Sequence, residues 1–522
     1  MASTTSTTIS SLPTEMLSHI FGFLDTPSPS DLRLHDQPHA HMLKNPDISS
    51  QNLKNLSLVN HQWRAIVLPL LFRHVVWYLD RFDLMQIEQF KSDPDADADA
   101  DATPLRSFVQ ANNLTPYINT LTLVVVKSTR GRAANGGSHY AYSPDPLGGP
   151  VTRAGGERDV VFNEDSNWLW DLIFAVIDPL RFTLIASPRM LASLLARMLF
   201  LGDEWSFNQS HHLLSLSRVS RKTTSHANTQ PEPQPEPQPE AEAVRTSASP
   251  STSTPASTPS SSGPSRRVPC ALFTIRPWDA LLLNEGSSTG VYKTYEYFHK
   301  RPPSMLGALL GAEEFPNNDP LITPSIRDLS YVGIFPLSTH FNTLVQNLPR
   351  IDRLFVQLVP RNDILKDKRE MEHLDMDTLT SDLWAERNTS YGKIMPKLFD
   401  SSSSAGNWRY LQVFESGDAA DRESWEMAVE YVRQFSAEWR VEREGVFVKR
   451  QPGDEDKSFN EENQAGNHST ILPPFHGYTE DDELAIEPGS AFFRGALRRF
   501  AFAGATRLPL SSVWLYLQNT NP

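Results

Sequence analysis

A recurring six-residue spacing constrains this chain more than any other feature. An aliphatic or aromatic residue, two free positions, a leucine, one free position and an apolar residue recur along it. The copies are Ile118-x-x-Leu121-x-Leu123, Ile326-x-x-Leu329-x-Tyr331, Ile351-x-x-Leu354-x-Val356 and Trp408-x-x-Leu411-x-Val413, with Leu497-x-x-Phe500-x-Phe502 a looser one. Their alternation at period two is that of a half-buried strand. The units at Ile326 and Ile351 lie 25 residues apart, within the range of leucine-rich repeats, where each unit adds one strand and one return element to a stack. The other intervals are longer and irregular. Two architectures fit: an irregular leucine-rich-repeat-like α/β solenoid, which is preferred, and an ordinary α/β domain whose strands alternate because one face is buried. Amphipathic helices are expected between strands, at Pro188 to Phe200 (Met190, Leu191, Leu194, Leu195, Met198) and at Asp421 to Arg440 (Trp425, Val429, Val432, Phe435, Trp439).

Low-complexity stretches set the domain plan. Residues 93–104, DPDADADADATP, repel one another and offer nothing to bury, so they read as an acidic linker. Residues 130–158 are rich in Gly and Pro and read as a surface loop. Residues 217–269 hold PEPQPEPQPE followed by Ser, Thr and Pro, and are expected to be a disordered insertion. Residues 451–470 are acidic and polar and are expected to be disordered as well. The repeat-like α/β region therefore comes in two parts, 105–216 and 270–522.

Charge and chemistry narrow the function. A net charge of -14 over 522 residues argues against a general nucleic-acid binder, although a local basic patch is compatible with it. The first residues, MASTTSTTISSLP, lack the charged and apolar regions of a secretory signal. The most apolar stretch, Leu169 to Ile185, is interrupted by Asp171, Asp178, Pro179 and Arg181, so no membrane span is expected. One cysteine, Cys270, permits no internal disulfide, which fits a reducing cytoplasmic or nuclear setting. No phosphate-binding or dinucleotide-binding glycine pattern and no His-Glu-x-x-His helix occurs. His211-His212 is expected on the surface, Cys270 as a small buried apolar residue, and Glu313-Glu314 and Asp481-Asp482-Glu483 as surface carboxylates. No catalytic residue, cofactor or metal is assigned, and the chain is expected not to be an enzyme. Ser-Pro and Thr-Pro pairs at Thr26, Ser28, Ser143, Ser249, Thr254 and Thr258 follow from loop composition.

The N-terminus carries the most specific local signal. Leu12-Pro13-Thr14-Glu15 precedes Leu17, Ile20, Phe21 and Leu24, which share one helix face. Pro13 suits the first helical position, and Glu15 complements the helix dipole. A second helix is expected from Leu53 to Leu68, with Leu56, Val59, Trp63, Ile66 and Leu70 at helical spacing and Pro69 ending it. Two short helices cannot bury all their apolar surface on each other, so an exposed stripe is expected. The intervening residues 26–52 are polar and contain His35, His39 and His41, read as solvated loop residues.

In order, Leu-Pro-x-Glu, an apolar helix, Leu56-Ser57-Leu58-Val59-Asn60-His61-Gln62-Trp63 and Leu70-Leu71-Phe72-Arg73-His74-Val75 resemble the F-box family over residues 12–76. The resemblance departs from the family at residues 26–52, where the family has a shorter connection, and this puts the middle helix in question. It implies docking of a Skp-type adaptor, and through it a cullin/RING ligase, while the rest of the chain captures a protein substrate. Leu12, Pro13, Leu17, Ile20, Leu24, Leu56, Val59 and Trp63 are the implied adaptor-binding residues, some of which must instead hold the helices together. The implied function is substrate recognition in an SCF-type ubiquitin ligase; the alternative is a scaffold that binds the adaptor without a ubiquitination role. Asp328, Arg353, Gln357 and Gln412 are expected to point outward from the strands.

Overall fold

A computed structural model of the chain describes residues 9, 12–43, 48–80, 104–126, 166–200, 203–221, 269–313, 317–360, 376–399, 406–436 and 438–450. In it the strand patterns pair into one ten-stranded mixed sheet. The strands are β1 His74–Asp80, β2 Thr120–Val126, β3 Arg181–Ala186, β4 His212–Ser217, β5 Ala280–Ser287, β6 Asp328–Ile334, β7 Arg353–Gln357, β8 Val413–Ser416, β9 Trp439–Arg443 and β10 Val446–Lys449. Their order follows the chain except at the end, where β10 lies between β8 and β9. β1, β2 and β3 are parallel, as are β5 to β8. β4 runs antiparallel between the two groups.

The parallel pairs share a backbone joint. The carbonyl just before or at the start of one strand accepts two successive N–H groups from the start of the next. Arg73 O accepts from Asn119 and Thr120, Asn119 O from Leu180 and Arg181, and Asp279 O from Arg327 and Asp328. Arg327 O accepts from Asp352 and Arg353, and Asp352 O from Gln412 and Val413, all at 2.8–3.1 Å. The joint aligns the strands residue by residue and corrects the sequence pattern twice. It adds Phe72-x-x-Val75-x-Trp77 and Pro179-x-x-Phe182-x-Leu184, which lack the leucine, and Trp278-x-x-Leu281-x-Leu283, which has the full spacing. It also moves the fourth unit to Leu411-x-x-Phe414-x-Ser416, because Gln412 and Val413 occupy the positions of Arg327 and Asp328. Leu497 lies outside the described residues.

On one face of the sheet the leucine positions meet the helices. These include α5 Pro104–Ala111, α6 Asn167–Phe174, α7 Pro188–Leu194, α8 Leu306–Leu310, α9 Ser338–Gln346, α10 Met376–Phe399 and α11 Arg422–Phe435; α1 to α4 belong to the N-terminal unit below. Ile118, Leu121, Trp170, Phe182, Trp278, Leu329, Leu354 and Phe414 lie in one continuous core there. Cys270 is buried in it, as expected. Each such side chain contributes roughly 1.5–3 kcal/mol by leaving water. The opposite face is polar yet largely buried: Thr122, Thr183, Ser215, Asn284 and Gln357 are all nearly or fully inaccessible. Gln357 is thus not the outward residue expected. Asp328 and Arg353 do keep contact with solvent, where Arg353 bridges Asp328 and Glu415.

Several boundaries move. The helix expected to Phe200 ends at Leu194, two residues before Ala196 takes a left-handed φ of 53°. The helix expected to Arg440 is capped by Asp421, ends at Phe435, and gives way to a strand that contains Trp439. The expected insertion starts later, because Arg218 is buried and pairs with Asp178 at 2.5 Å, and Arg276 meets the same carboxylate at 2.6 Å. Residues 93–103, 130–158, 222–268 and 451–470 lie outside the described residues. Among the described residues no helix is long and apolar enough to cross a membrane.

Candidate functional site

The N-terminal unit is built from α1 Thr14–Gly22, α3 Ile48–Leu56 and α4 His61–Leu71, with a single turn, α2 Pro29–Leu32, in the connection. The helix expected from Leu53 to Leu68 is two helices. α3 ends at Leu56, a turn follows over Ser57 to Val59, and Asn60, extended in its backbone, starts α4 afresh by accepting from the Trp63 N–H at 2.8 Å. Pro69 does not end α4, which runs two residues further. Pro13 sits just before α1 as its N-cap.

Leu17, Phe21, Leu53, Trp63 and Val67 form the interior of this unit, with the Phe21 and Trp63 rings edge to face at 5.1 Å. Of the expected adaptor-binding residues, Leu17 and Trp63 are therefore interior supports, because each already has its apolar surface covered by neighbouring helices. Leu12, Leu24 and Leu56 are half-buried at the margin of that interior, and Pro13 is exposed. Ile20 and Val59 are exposed, and the structure adds three residues that the sequence reading omitted. Met16, Ile20 and Phe23 form a second stripe on α1, one residue out of phase with the Leu17, Phe21 and Leu24 stripe. Phe23 is 77% exposed, and Leu58 and Val59 are 77% and 57% exposed in the turn between α3 and α4. The spacing of Met16 and Phe23 was readable, but both stripes satisfy helical periodicity and only packing shows which is inside.

Residues 9–76 match the model of the F-box-like family. They are an F-box-like domain. Comparison with curated proteins and with solved structures finds no match for the chain. Within the F-box-like domain Arg73, just before β1, pairs with Asp25, and Arg181 at the start of β3 ties the domain to the sheet by pairing with Asp31 at 3.2 Å.

The connection within the F-box-like domain is not the solvated loop expected. Leu34 and Met42 pack on Val124, Ile185, Leu213 and Leu282 of the polar sheet face. Asn284 donates to the carbonyls of Leu34 and Asp36 at 2.8 Å each. His35 lies against Phe355, ring centroids 4.8 Å apart, while His39 and His41 are exposed. Ser28 is buried against Ser30 and Thr120, which leaves its Ser-Pro pair inaccessible to a kinase. Residue 286 must be glycine where this segment crosses: φ is +75°, and a Cβ would sit 3.2 Å from Pro38 Cδ.

The buried charge of the sheet lies elsewhere. Glu285 is fully buried and accepts from Ser304 Oγ, from Met305 N at 2.9 Å, from Tyr331 OH at 3.1 Å and from His340 Nε2 at 3.1 Å. Burial alone would raise its pKa, but the hydrogen bond and charge of His340 outweigh burial and hold it down at about 2. Ser304 and His340 both bind the carboxylate and not each other, so this is no nucleophile and base pair; Glu285 tethers the connection into α8. His212, expected on the surface, is fully buried nearby on β4, and burial drives its pKa down to about 4, so it is neutral at pH 7. Among the described residues no group of three or more His, Cys, Asp or Glu is arranged to hold a metal ion.

Proposed function

We propose that this chain is the substrate-recognition subunit of an SCF-type ubiquitin ligase. Its F-box-like domain binds a Skp-type adaptor, and its sheet region holds a protein substrate. The chemistry then takes place on the ligase's other subunits, in the cytoplasm or nucleus. The observation that carries this reading is the second apolar stripe. Met16, Ile20, Phe23, Leu58 and Val59 stay in water although the unit's interior is complete without them. Leu12, Pro13, Leu24 and Leu56 would border the contact, and Leu17 and Trp63 would support it from within. Burying such side chains yields roughly 1.5–3 kcal/mol each, enough for a stable complex after association costs. The repeated strand joint supports reading the sheet region as an irregular repeat-like array.

Co-purification of the full chain with a Skp-type adaptor tests the dock. Val59→Glu places a charge in the contact and should weaken adaptor binding by at least tenfold, on the order of 1.4 kcal/mol, with an unchanged melting curve. Equal recovery by wild type and variant would defeat the reading. A bound protein whose half-life lengthens in cells expressing Val59→Glu separates a receptor from a scaffold without ubiquitination role.

A further inference from the structure

The F-box-like domain grips the starts of β2 and β3, through Ser28 on Thr120 and Asp31 on Arg181. At the other end of the strands, roughly 20 Å away, the connection that leads into β4 meets the connection that leaves β5. Asp203 joins them: it accepts from the Arg301 N–H at 3.0 Å and faces Lys300 Nζ at 3.6 Å. Lys300 Nζ lies 5.2 Å from the Trp205 ring centroid, and the Arg301 guanidinium lies 4.4 Å from that of Phe200. Phe200, Trp205 and Phe298 are all exposed, Trp205 by 61%, and Tyr295 on the same connection by 87%.

Two features separate this surface from scattered exposed aromatics. Phe200, Trp205, Lys300 and Arg301 are fixed to one another by the Asp203 contacts and by cation–π contacts. In addition, the Arg301 guanidinium finds no carboxylate or hydrogen-bond acceptor among the described residues. Arg301 is exposed, and a guanidinium held over a ring can still take a carboxylate with two hydrogen bonds. The flanking rings offer flat apolar area of the kind that receives proline and aromatic side chains.

We propose that Phe200, Trp205, Phe298, Lys300 and Arg301 seat a peptide segment of a protein substrate, one that carries carboxylates beside proline or aromatic residues. The proposal rests on the receptor reading above and names its substrate class. Rings beside cations also suit single-stranded nucleic acid, but a phosphate backbone needs a track of cations, whereas here Lys300 and Arg301 stand as a pair and Asp203 already faces Lys300.

A random 12-residue peptide library displayed on phage, panned against the full chain, tests this, with binding of the selected peptides and of a 20-nucleotide oligouridine then measured by fluorescence anisotropy. Selected peptides should be enriched in Asp or Glu next to Pro, Phe, Tyr or Trp. Arg301→Glu and Trp205→Ala, both at exposed positions, should each weaken them about tenfold or more, while Val59→Glu binds them like wild type. Selection of no peptide, absence of acidic enrichment, equal binding by Arg301→Glu, or binding of oligouridine that Arg301→Glu abolishes would each overturn the proposal. Adaptor recovery by Arg301→Glu, measured alongside, keeps failure of this surface distinct from failure of the dock.

Discussion

Replacing Asn284 by alanine should release residues 29–43 from the sheet. The side chain is wholly inaccessible, donates to the carbonyls of Leu34 and Asp36, and accepts from the Gly286 N–H at 2.9 Å. Alanine leaves all three backbone groups without their partner. A buried group stripped of its partner costs about 1–3 kcal/mol, so the three together cost about 3 kcal/mol at the least. The connecting segment is held to the sheet otherwise by Leu34 and Met42, by the Asp31–Arg181 pair and by His35 against Phe355, fewer contacts than bind the strands to one another, so it should give way before the sheet does. A local loss of about 3 kcal/mol speeds hydrogen exchange roughly a hundredfold. Exchange read by mass spectrometry should therefore accelerate across residues 29–43, while peptides from α4 and β6 keep their wild-type rates. Asn284→Asp retains the acceptor for Gly286 but sets a carboxylate against two carbonyls, and should release the segment at least as far. If both variants exchange like wild type over residues 29–43, Asn284 is not what holds the F-box-like domain to the sheet face.

Two further outcomes are expected. His212 has a pKa of about 4 in the fold against 6.5 when exposed, so as pH falls through 6.5 the unfolded chain takes up the proton first. Its contribution is thus complete above pH 6.5 and lost progressively down to pH 4, a span worth at most about 3 kcal/mol. Melting temperatures of His212→Leu measured between those pH values should fall less steeply than those of wild type; parallel curves would contradict a neutral buried ring. Leu17→Ala empties a fully buried position between α1 and α4 and should cost about 2–5 kcal/mol in chemical unfolding of the N-terminal unit. Truncation of Ile20, one helical position from the buried Phe21, should cost under about 0.5 kcal/mol.

The two apolar stripes on α1 mark how far the sequence alone reaches. Helical spacing and the order of Leu-Pro-x-Glu, Leu56 and Trp63 were enough to place an F-box-like helical unit at the N-terminus, because local periodicity and capping are set by residues within a turn or two of each other. The same spacing admits either stripe as interior, and the choice of Leu17 and Phe21 over Met16 and Ile20 was made by α3 and α4. Strand positions at Ile118, Ile326 and Ile351 were legible for the same local reason. Val75 and Phe182 at the leucine position, and Pro179 at the first, concealed equivalent strands, since each position needs bulk and not a particular residue type.

Long-range pairing decided the remainder. Residues 26–43 look soluble because their composition is polar, yet Leu34 and Met42 find Val124, Ile185, Leu213 and Leu282 on a sheet face otherwise built from Thr, Ser and Asn, and hydrogen bonds that no hydropathy pattern records close the rest of the contact. His212 and Arg218 look from composition like an exposed margin, and are enclosed by residues distant in the chain: Arg218 meets Asp178, 40 positions away. The sequence by itself determined that this chain has an N-terminal helical F-box-like unit and alternating strands, because periodicity is a property of neighbours. Which apolar stripe faces water, how that unit is fixed to the sheet, and where Lys300 and Arg301 meet Trp205 and Phe200 were decided only by tertiary structure, because burial depends on partners that the chain brings together from afar.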